Sequence, residues 1–204
     1  IHLDGATVYG AENEELGWLS AFDRWLLDVG DGNFMVIDSF AVRSDRGSAM
    51  VEERWHLGRT SPAPEDCSSR SAHADYSIDD QTLDILPMCA MLDTTETASQ
   101  GRIVASSLNP GSFVDSGLVE FTNRLEDTEQ RSRVRYVPDE AVELDIRFFA
   151  LLSSPIGESL PEAETTWMTC DDAPCVEVDL PSGTWAFDFA WEGDRWVLAD
   201  IRQP

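Results

Sequence analysis

The amino-acid sequence predicts an all-β protein, an antiparallel β-sandwich of about a dozen short strands. Apolar and polar residues alternate with a period of two along most of the 204 residues, as in strands that bury one face. Turn-forming residues interrupt these stretches at short intervals. Helical spacing of apolar residues is weak, and its best window, residues 12–27, contains Gly17. Together these three observations favour packed antiparallel β-sheets.

The clearest predicted element is a hairpin in the first fifth of the chain. Residues 25–29 and 34–40 are strand-like, and the Gly-Asp-Gly-Asn sequence at 30–33 between them is typical of a tight turn. The further predicted strands, in chain order, are 50–57, 72–78, 82–86, 102–106, 118–122, 133–137, 142–152, 176–180, 184–191 and 195–201.

We expect one domain over residues 1–204, because β-sandwiches reach this length as single units. The Ser-rich loop 67–70, which follows Pro62 and Pro64, would be the boundary if the chain divided. The chain opens at Ile1 in strand-like sequence with no secretory leader, so we expect a mature form or a piece that follows other sequence in a longer chain.

The net charge narrows the choice of partners. The chain carries 39 Asp and Glu against 14 Lys and Arg, which gives −25, and all 14 cations are Arg. A field of this sign repels phosphate backbones and anionic lipid surfaces. We therefore expect neither a nucleic-acid partner nor a membrane partner. Solubility in salty or extracellular surroundings explains the acidity better than a specific cation-loading function does.

The four cysteines predict two disulfide bonds. Cys67, Cys89, Cys170 and Cys175 form an even set without the paired spacings of zinc ribbons. Three connectivities are open, and we favour Cys67 with Cys89 and Cys170 with Cys175, because the short Cys170–Cys175 stretch is typical of a turn between strands. Such bonds persist in oxidising compartments, so the protein is expected to be secreted, extracellular or periplasmic.

Catalytic signatures are missing, and we predict no catalytic residue in this chain. The nucleophile elbow, the phosphate-binding loop, the dinucleotide fingerprint, the HExxH zinc motif and the EF-hand loop are all absent from the sequence. Asp38 and His56 are weak candidates for a metal or acid–base pair, and a hydrogen-bonded structural histidine is the favoured interpretation. No cofactor is expected. The alternative is calcium, which the acidic turns at Asp31, 79–80 and 171–172 could bind through their oxygen atoms. Exposure of these turn residues to solvent explains their acidity equally well.

Two features point to carbohydrate. Arg131, Arg133 and Arg135 alternate along one strand, so this stripe could bind uronate or sulfate groups, although pairing with acidic neighbours such as Glu140 and Glu143 is the favoured interpretation. Trp18, Trp25 and Trp55 are candidates for lining a glycan groove, and Trp55 is the one that we assign to the site. By contrast, the four aromatic residues at period two in 185–191 are expected to pack in the core.

Three segments resemble the C-terminal β-sandwich of heparinase II/III-like polysaccharide lyases. They are Phe-Asp-Arg-Trp-Leu-Leu-Asp-Val at 22–29, Asn-Phe-Met-Val-Ile-Asp-Ser-Phe at 33–40 and Glu-Arg-Trp-His-Leu at 53–57. Residues 82–87 and 144–155 are similar to two later strands of that family, so the likeness runs from Phe22 to Pro155. Family members also carry an α/α toroid with the catalytic residues and a His-x-His-x-Asp strand, which this chain lacks, and Asp23 stands where the family has a histidine before Arg24.

Two functions follow from these observations. The first is a noncatalytic support or carbohydrate-contacting β-sandwich of a secreted polysaccharide-degrading enzyme, whose partners would be a polysaccharide and another domain or chain of the same parent protein. On this hypothesis the chain alone is not catalytic, and its parent is a polysaccharide lyase. The alternative is a stand-alone extracellular binding or adhesion module without catalysis.

Overall fold

The computed structural model describes residues 1–4, 18–56, 74–87, 99–122, 128–155 and 157–203. Within these ranges the fold is all-β, as predicted, and neighbouring strands pair antiparallel. No helix long and apolar enough to span a membrane occurs among these residues. The strands are β1 (His2–Asp4), β2 (Leu19–Gly30), β3 (Asn33–Val42), β4 (Glu53–His56), β5 (Ala74–Asp79), β6 (Thr82–Pro87), β7 (Ser99–Ser107), β8 (Gly111–Thr122), β9 (Thr128–Pro138), β10 (Leu144–Pro155), β11 (Glu164–Cys170), β12 (Ala173–Leu180), β13 (Gly183–Glu192) and β14 (Arg195–Arg202).

These strands form three sheets. The central sheet has seven strands in the order β1-β2-β3-β10-β7-β6-β5. The four-stranded sheet has the order β11-β12-β13-β14, and the three-stranded sheet has the order β4-β9-β8. Core residues of the two smaller sheets pack against opposite faces of the central sheet, so the sandwich has three layers in this part of the chain.

Strands β3 and β10 have apolar side chains on both faces. Each face is covered by a different smaller sheet, which gives the third layer. In β3, Ile37 joins the core under the four-stranded sheet, whereas its neighbour Val36 joins the core under the three-stranded sheet. In β10, Phe148 and Phe149 divide between the same two cores. Continuous apolar sequence of this kind is typical of strands that are covered on both sides.

The larger core lies between the central and four-stranded sheets. Phe148 packs at its middle, with ring centroids 5.2 Å from Phe187 and 6.0 Å from Phe189. Trp167 adds an edge-on contact to Phe148 and donates a hydrogen bond from its indole nitrogen to Ser106. This aromatic packing joins the two sheets.

The smaller core lies between the central and three-stranded sheets. Phe149 contacts the rings of Trp55 and Tyr136 edge-on, at centroid distances of 5.2 and 5.5 Å. Val134 and Phe113 complete the buried side of the three-stranded sheet. Charged side chains, among them Arg147, lie in the same layer as this core, and Arg147 contacts the Tyr136 ring.

Two tight turns confirm the sequence prediction. The β2–β3 hairpin turns through Asp31 and Gly32, with φ of 55° and 74°. Asp171 and Asp172 turn between β11 and β12 with φ of 49° and 66°, which Asp tolerates better than most residues. The Cys170–Cys175 disulfide closes this second hairpin, with the two Cα atoms 5.8 Å apart, as predicted.

Candidate functional site

Five charged residues lie at the layer between the central and three-stranded sheets, and we call them the charge cluster. Its members are Arg24, Asp38, Glu53, Asp145 and Arg147. Three of them, Asp38, Asp145 and Arg147, have fully buried side chains. Groups that retain charge in a protein interior must be paired, so the contacts of each member decide what the cluster can do.

Arg24 and Asp38 form the outer part of the cluster. They are directly opposite in the register of β2 and β3, and therefore share a face of the central sheet. Arg24 donates from Nε to Asp38 Oδ1 at 2.7 Å and from Nη2 to Asp38 Oδ2 at 2.6 Å. This two-pronged hydrogen bond raises the pKa of the Arg24 guanidinium, although burial opposes the shift. The Arg24 guanidinium is therefore charged at every ordinary pH.

Glu53 connects this pair to the three-stranded sheet. It lies on β4, and its carboxyl oxygen accepts a hydrogen bond of 3.0 Å from Arg24 Nη2. Burial raises the pKa of the Glu53 carboxyl to about 8, and a hydrogen bond with Asp38 acts in the same direction against the attraction of Arg24 and Arg147. Two carboxyl groups side by side cannot both ionise cheaply, so Glu53 keeps a proton at neutral pH.

Arg147 and Asp145 form the inner part of the cluster on β10. Arg147 donates from Nε to Asp145 at 2.9 Å, and its guanidinium carbon lies 4.8 Å from the ring centroid of Phe40 and 5.6 Å from that of Tyr136. Its two terminal nitrogens are buried without a hydrogen-bond partner among the described residues. Contact with two aromatic faces compensates part of this lost hydrogen bonding.

Asp145 is held from several directions. Its carboxylate accepts hydrogen bonds from Ser107 Oγ, from the backbone and side-chain nitrogens of Asn109, and from the backbone N–H of Ile146. Nearby, burial raises the pKa of Tyr136 to about 12, so its hydroxyl remains protonated. The inner part of the cluster is therefore a hydrogen-bonded network in which both carboxylate oxygens of Asp145 are engaged.

The cluster can hold a proton and can fix the three-stranded sheet to the central sheet. Each of the two guanidinium groups is paired with an aspartate, and the protonated Glu53 adds no charge to the cluster. Both oxygens of Asp38 are already bonded to Arg24. A metal ion at Asp38 would have to displace the guanidinium.

The predicted arginine stripe lies on β9, opposite β4 and β8. Arg135 donates to Glu52 at 2.6 Å and to Ser116 at 2.6 Å, whereas the acidic neighbours that the sequence suggested as partners were Glu140 and Glu143. Arg133 has a buried Nε with no hydrogen-bond partner among the described residues. The side chain of Arg131 lies outside the described part. Polysaccharide binding by the stripe stays a prediction.

The other predicted site residues surround the same layer. Trp55 packs edge-on against Phe149, and its indole nitrogen is buried without a partner among the described residues. Asp38 contacts Arg24, as described above. His56 pairs with Arg133 in the backbone register, and its side chain lies outside the described part. The roles assigned to Trp55, Asp38 and His56 stay predictions.

The remaining predicted features concern cysteines and cations. Cys67 and Cys89 lie outside the described residues, so their pairing stays a prediction. The sulfur atoms of Cys170 and Cys175 lie near the Asp188 carboxylate, but they are bonded to one another and offer no thiolate to a metal. Calcium binding at the acidic turns stays a prediction as well.

Sequence reasoning did not identify Arg24, Glu53 and Arg147 as one cluster, although a signal was present. Arg147 interrupts an apolar run between Ile146 and Phe148, and Asp38 interrupts another in β3. A charged residue in a strand that is otherwise apolar on both faces requires a buried partner of opposite charge. The partners themselves come from strands that only the tertiary fold brings together.

Comparison with known proteins gives likeness in structure alone. No family model matches the sequence, and no curated protein matches it. The heparan sulfate lyase HepC from Pedobacter heparinus superposes with a TM-score of 0.55 and 11% identity over 92% of this chain and 25% of that one. A heparinase III structure superposes with a TM-score of 0.51 and 15% identity over 88% of this chain and 25% of that one. The chain therefore has the fold of a segment of heparinase III and heparan sulfate lyase structures, and spans about a quarter of their length.

Proposed function

We propose that this chain is the noncatalytic β-sandwich of a secreted polysaccharide lyase, where it supports the catalytic region and contacts the carbohydrate. The observation that carries the proposal is the likeness to the heparan sulfate lyase over 92% of this chain but only 25% of that one. A segment of that relative size is consistent with one structural part of a larger enzyme.

The chemistry of the charge cluster supports a noncatalytic role. Asp38 and Asp145 each accept hydrogen bonds from an arginine, and Glu53 holds its proton at neutral pH because its pKa is about 8. A lyase must remove a proton from its sugar substrate, which requires an accessible base. The carboxyl groups of the charge cluster are paired with arginines or protonated, so we assign them a structural role.

Export is part of the proposal. The Cys170–Cys175 bond favours an oxidising compartment, and a net charge of −25 favours solubility there.

The test is an assay for unsaturated sugar products. The chain alone is incubated with heparan sulfate, alginate and a pectic polymer, and the absorbance of the unsaturated product is followed. We expect no turnover by this chain, and turnover by the product of the full open reading frame that contains it. Reproducible turnover by the chain alone, abolished by His56→Ala, would overturn the noncatalytic assignment. An inactive full-length product would overturn the lyase assignment.

A stand-alone binding module is the second candidate function. The observation that favours it is a cleft of about 580 Å³ beside the half-exposed indole of Trp191. Glycan binding by the chain, together with a full reading frame that encodes no further folded region, would favour this candidate over the first.

A further inference from the structure

Trp191 lies outside the core that its sequence pattern predicts for it. The sequence places Trp185, Phe187, Phe189 and Trp191 at period two on one face of β13. The first three are buried, with 7%, 0% and 3% of their surfaces exposed, as predicted. Trp191 is 50% exposed, so the prediction of core packing is wrong for this residue. What distinguishes Trp191 from other exposed apolar side chains is its place in the walls of two hollows.

The indole of Trp191 is held in a fixed position. It lies opposite Trp196 in the β13–β14 register, and the two rings meet edge-on at a centroid distance of 5.0 Å. Two contacts anchor the hairpin. Ser39 on β3 donates to the carbonyl oxygen of Trp196, and Arg195 donates to the buried Asp23 on β2 at 2.6 Å. A preorganised aromatic surface costs little entropy when it binds a ligand.

The cleft beside Trp191 has a volume of about 580 Å³. It lies where β3 ends and β10 begins, and its polar walls include Ser20, Arg43, Asp45, Glu143 and Asp194. This volume falls within the range of small-ligand sites, roughly 300–1,000 Å³. We call this space the Trp191 cleft.

A second hollow of about 490 Å³ also has Trp191 in its wall. It lies against the four-stranded sheet, and its charged walls include Asp171, Asp172, Asp188 and Arg202. Trp191 therefore contributes to the walls of both hollows.

Charge decides which ligand fits. In the Trp191 cleft, Arg43 is paired with Asp45 through two hydrogen bonds of 3.0 Å, which leaves Glu143 and Asp194 as excess negative charge. In the second hollow, Arg202 is paired with Asp188, which leaves Asp171 and Asp172. Carboxylated or sulfated sugars are repelled by both excesses. Uncharged sugar rings are favoured, because their hydroxyl groups can donate to carboxylates and their apolar faces can stack on indole.

We propose that Trp191 is the stacking platform of a binding site for uncharged glycans. This inference goes beyond the proposed function and does not depend on it, because the Trp191 cleft lies on the side of the four-stranded sheet and not in the layer of the charge cluster. The site contributes binding and no chemical step.

The test is binding of three soluble uncharged glycans: a β-glucan, a xylan without acidic side groups and a mannan. Affinity electrophoresis and titration calorimetry measure the dissociation constants for the wild-type chain and for Trp191→Ala, Trp191→Phe and Phe34→Ala. Phe34 is the matched control, since it is a 40% exposed aromatic residue at the opposite end of β3. Circular dichroism and thermal melting establish that each variant is folded.

We expect at least one of the three glycans to bind the wild-type chain. Trp191→Ala should weaken that binding by at least about tenfold, because anchoring aromatic residues carry most of the affinity of such sites. Trp191→Phe should retain most of it, and Phe34→Ala should leave it unchanged. The proposal is overturned if none of the three glycans binds, or if Phe34→Ala weakens binding as much as Trp191→Ala does. Chitosan oligosaccharides are tested beside these three glycans, and binding of chitosan alone, weakened by salt, overturns the assignment to uncharged glycans.

Discussion

Arg24 binds Asp38 across the β2–β3 pair through two hydrogen bonds of 2.7 and 2.6 Å. The two ends of this pair lie in different surroundings, because the Arg24 side chain is 36% exposed and that of Asp38 is fully buried. Arg24 thus neutralises a carboxylate that water cannot reach. The same guanidinium also contacts Glu53, so one side chain stabilises two buried carboxyl groups.

The first prediction concerns the removal of this guanidinium. Arg24→Ala leaves the Asp38 carboxylate buried without its partner, which is strongly destabilising in proteins. We expect the free energy of unfolding to fall by about 2–3 kcal/mol, somewhat less than for a completely buried pair because Arg24 is partly exposed. Urea unfolding followed by circular dichroism measures this change.

Arg202→Ala is the control for the loss of an arginine. Arg202 also pairs with an aspartate, Asp188, but its side chain is 56% exposed. An exposed pair of this kind contributes under about 1 kcal/mol. If both variants lose the same stability, the burial of Asp38 is not what makes the Arg24 pair important.

The second prediction concerns the proton on Glu53. Its pKa of about 8 in the folded state lies above the value of about 4.3 expected for the unfolded chain. Between these values the folded chain holds a proton that the unfolded chain releases, so stability falls as pH rises from about 4.3 to 8. Glu53→Gln removes this titration, and each pKa unit corresponds to about 1.4 kcal/mol. We expect unfolding of Glu53→Gln to be less dependent on pH between 5 and 8 than that of the wild type, and the variant to be the more stable of the two at pH 8.

Glu52→Gln supplies the control for this titration. Glu52 precedes Glu53 in the chain, and Glu52→Gln is the same substitution as Glu53→Gln. The Glu52 carboxylate, however, contacts Arg135 and Arg54 and lies outside the charge cluster. The difference in pH dependence between wild type and Glu52→Gln should be small. A Glu53→Gln curve parallel to that of the wild type would mean that Glu53 is ionised in the folded state.

The sequence predicted the class of fold because alternation along a strand records which face is buried. The 25–40 hairpin and the disulfide-closed 170–175 turn were also predictable, since the Gly, Asp and Asn residues of a turn act over a short range of sequence. The third sheet was not predicted, although the apolar runs in β3 and β10 indicated strands covered on both faces. Strand β11 was missed because its residues are mostly polar and partly exposed at a sheet edge.

The charge cluster and the Trp191 cleft were beyond sequence reasoning for a common reason. Arg24, Glu53 and Arg147 come from three strands that are distant in sequence, and pairing between sheets is a tertiary property. The exposure of Trp191 depends on where the central sheet ends, which the period of two in β13 does not record. By contrast, pairing of Arg135 with a carboxylate was anticipated from the large excess of acidic residues.

The third prediction concerns the Cys170–Cys175 disulfide. The bond closes a short loop around Asp171 and Asp172, both of which have positive φ. In the chain-entropy model a loop of this length contributes about 2 kcal/mol, so Cys170→Ser with Cys175→Ser should lower the melting temperature by a few degrees. Peptide mapping without reduction should recover the two cysteines in one linked fragment. A link from Cys170 to Cys67 or Cys89 would contradict the structure.

The last prediction is that the isolated chain binds anionic polysaccharides weakly or not at all at low salt. A net charge of −25 repels heparin and alginate at long range, and salt screens this repulsion over about 8 Å at physiological ionic strength. The arginine stripe does not overcome the repulsion where its partners are described, because Arg135 is bound to Glu52 and Ser116. Affinity electrophoresis in gels containing heparin, at two salt concentrations, measures the retention of the chain.

Two variants of equal charge separate the stripe from the net charge. Glu52→Gln removes the carboxylate that holds Arg135, whereas Glu177→Gln removes an exposed carboxylate on β12, in the four-stranded sheet. If pairing with Glu52 is what keeps Arg135 from binding heparin, heparin should retain Glu52→Gln more strongly than Glu177→Gln, and added salt should weaken that retention. Tight heparin binding by the wild type, weakened by salt and lost in the Arg131→Ala, Arg133→Ala double variant, would contradict the prediction. In that case the local arginines, and not the overall acidity, would determine which glycans this chain binds.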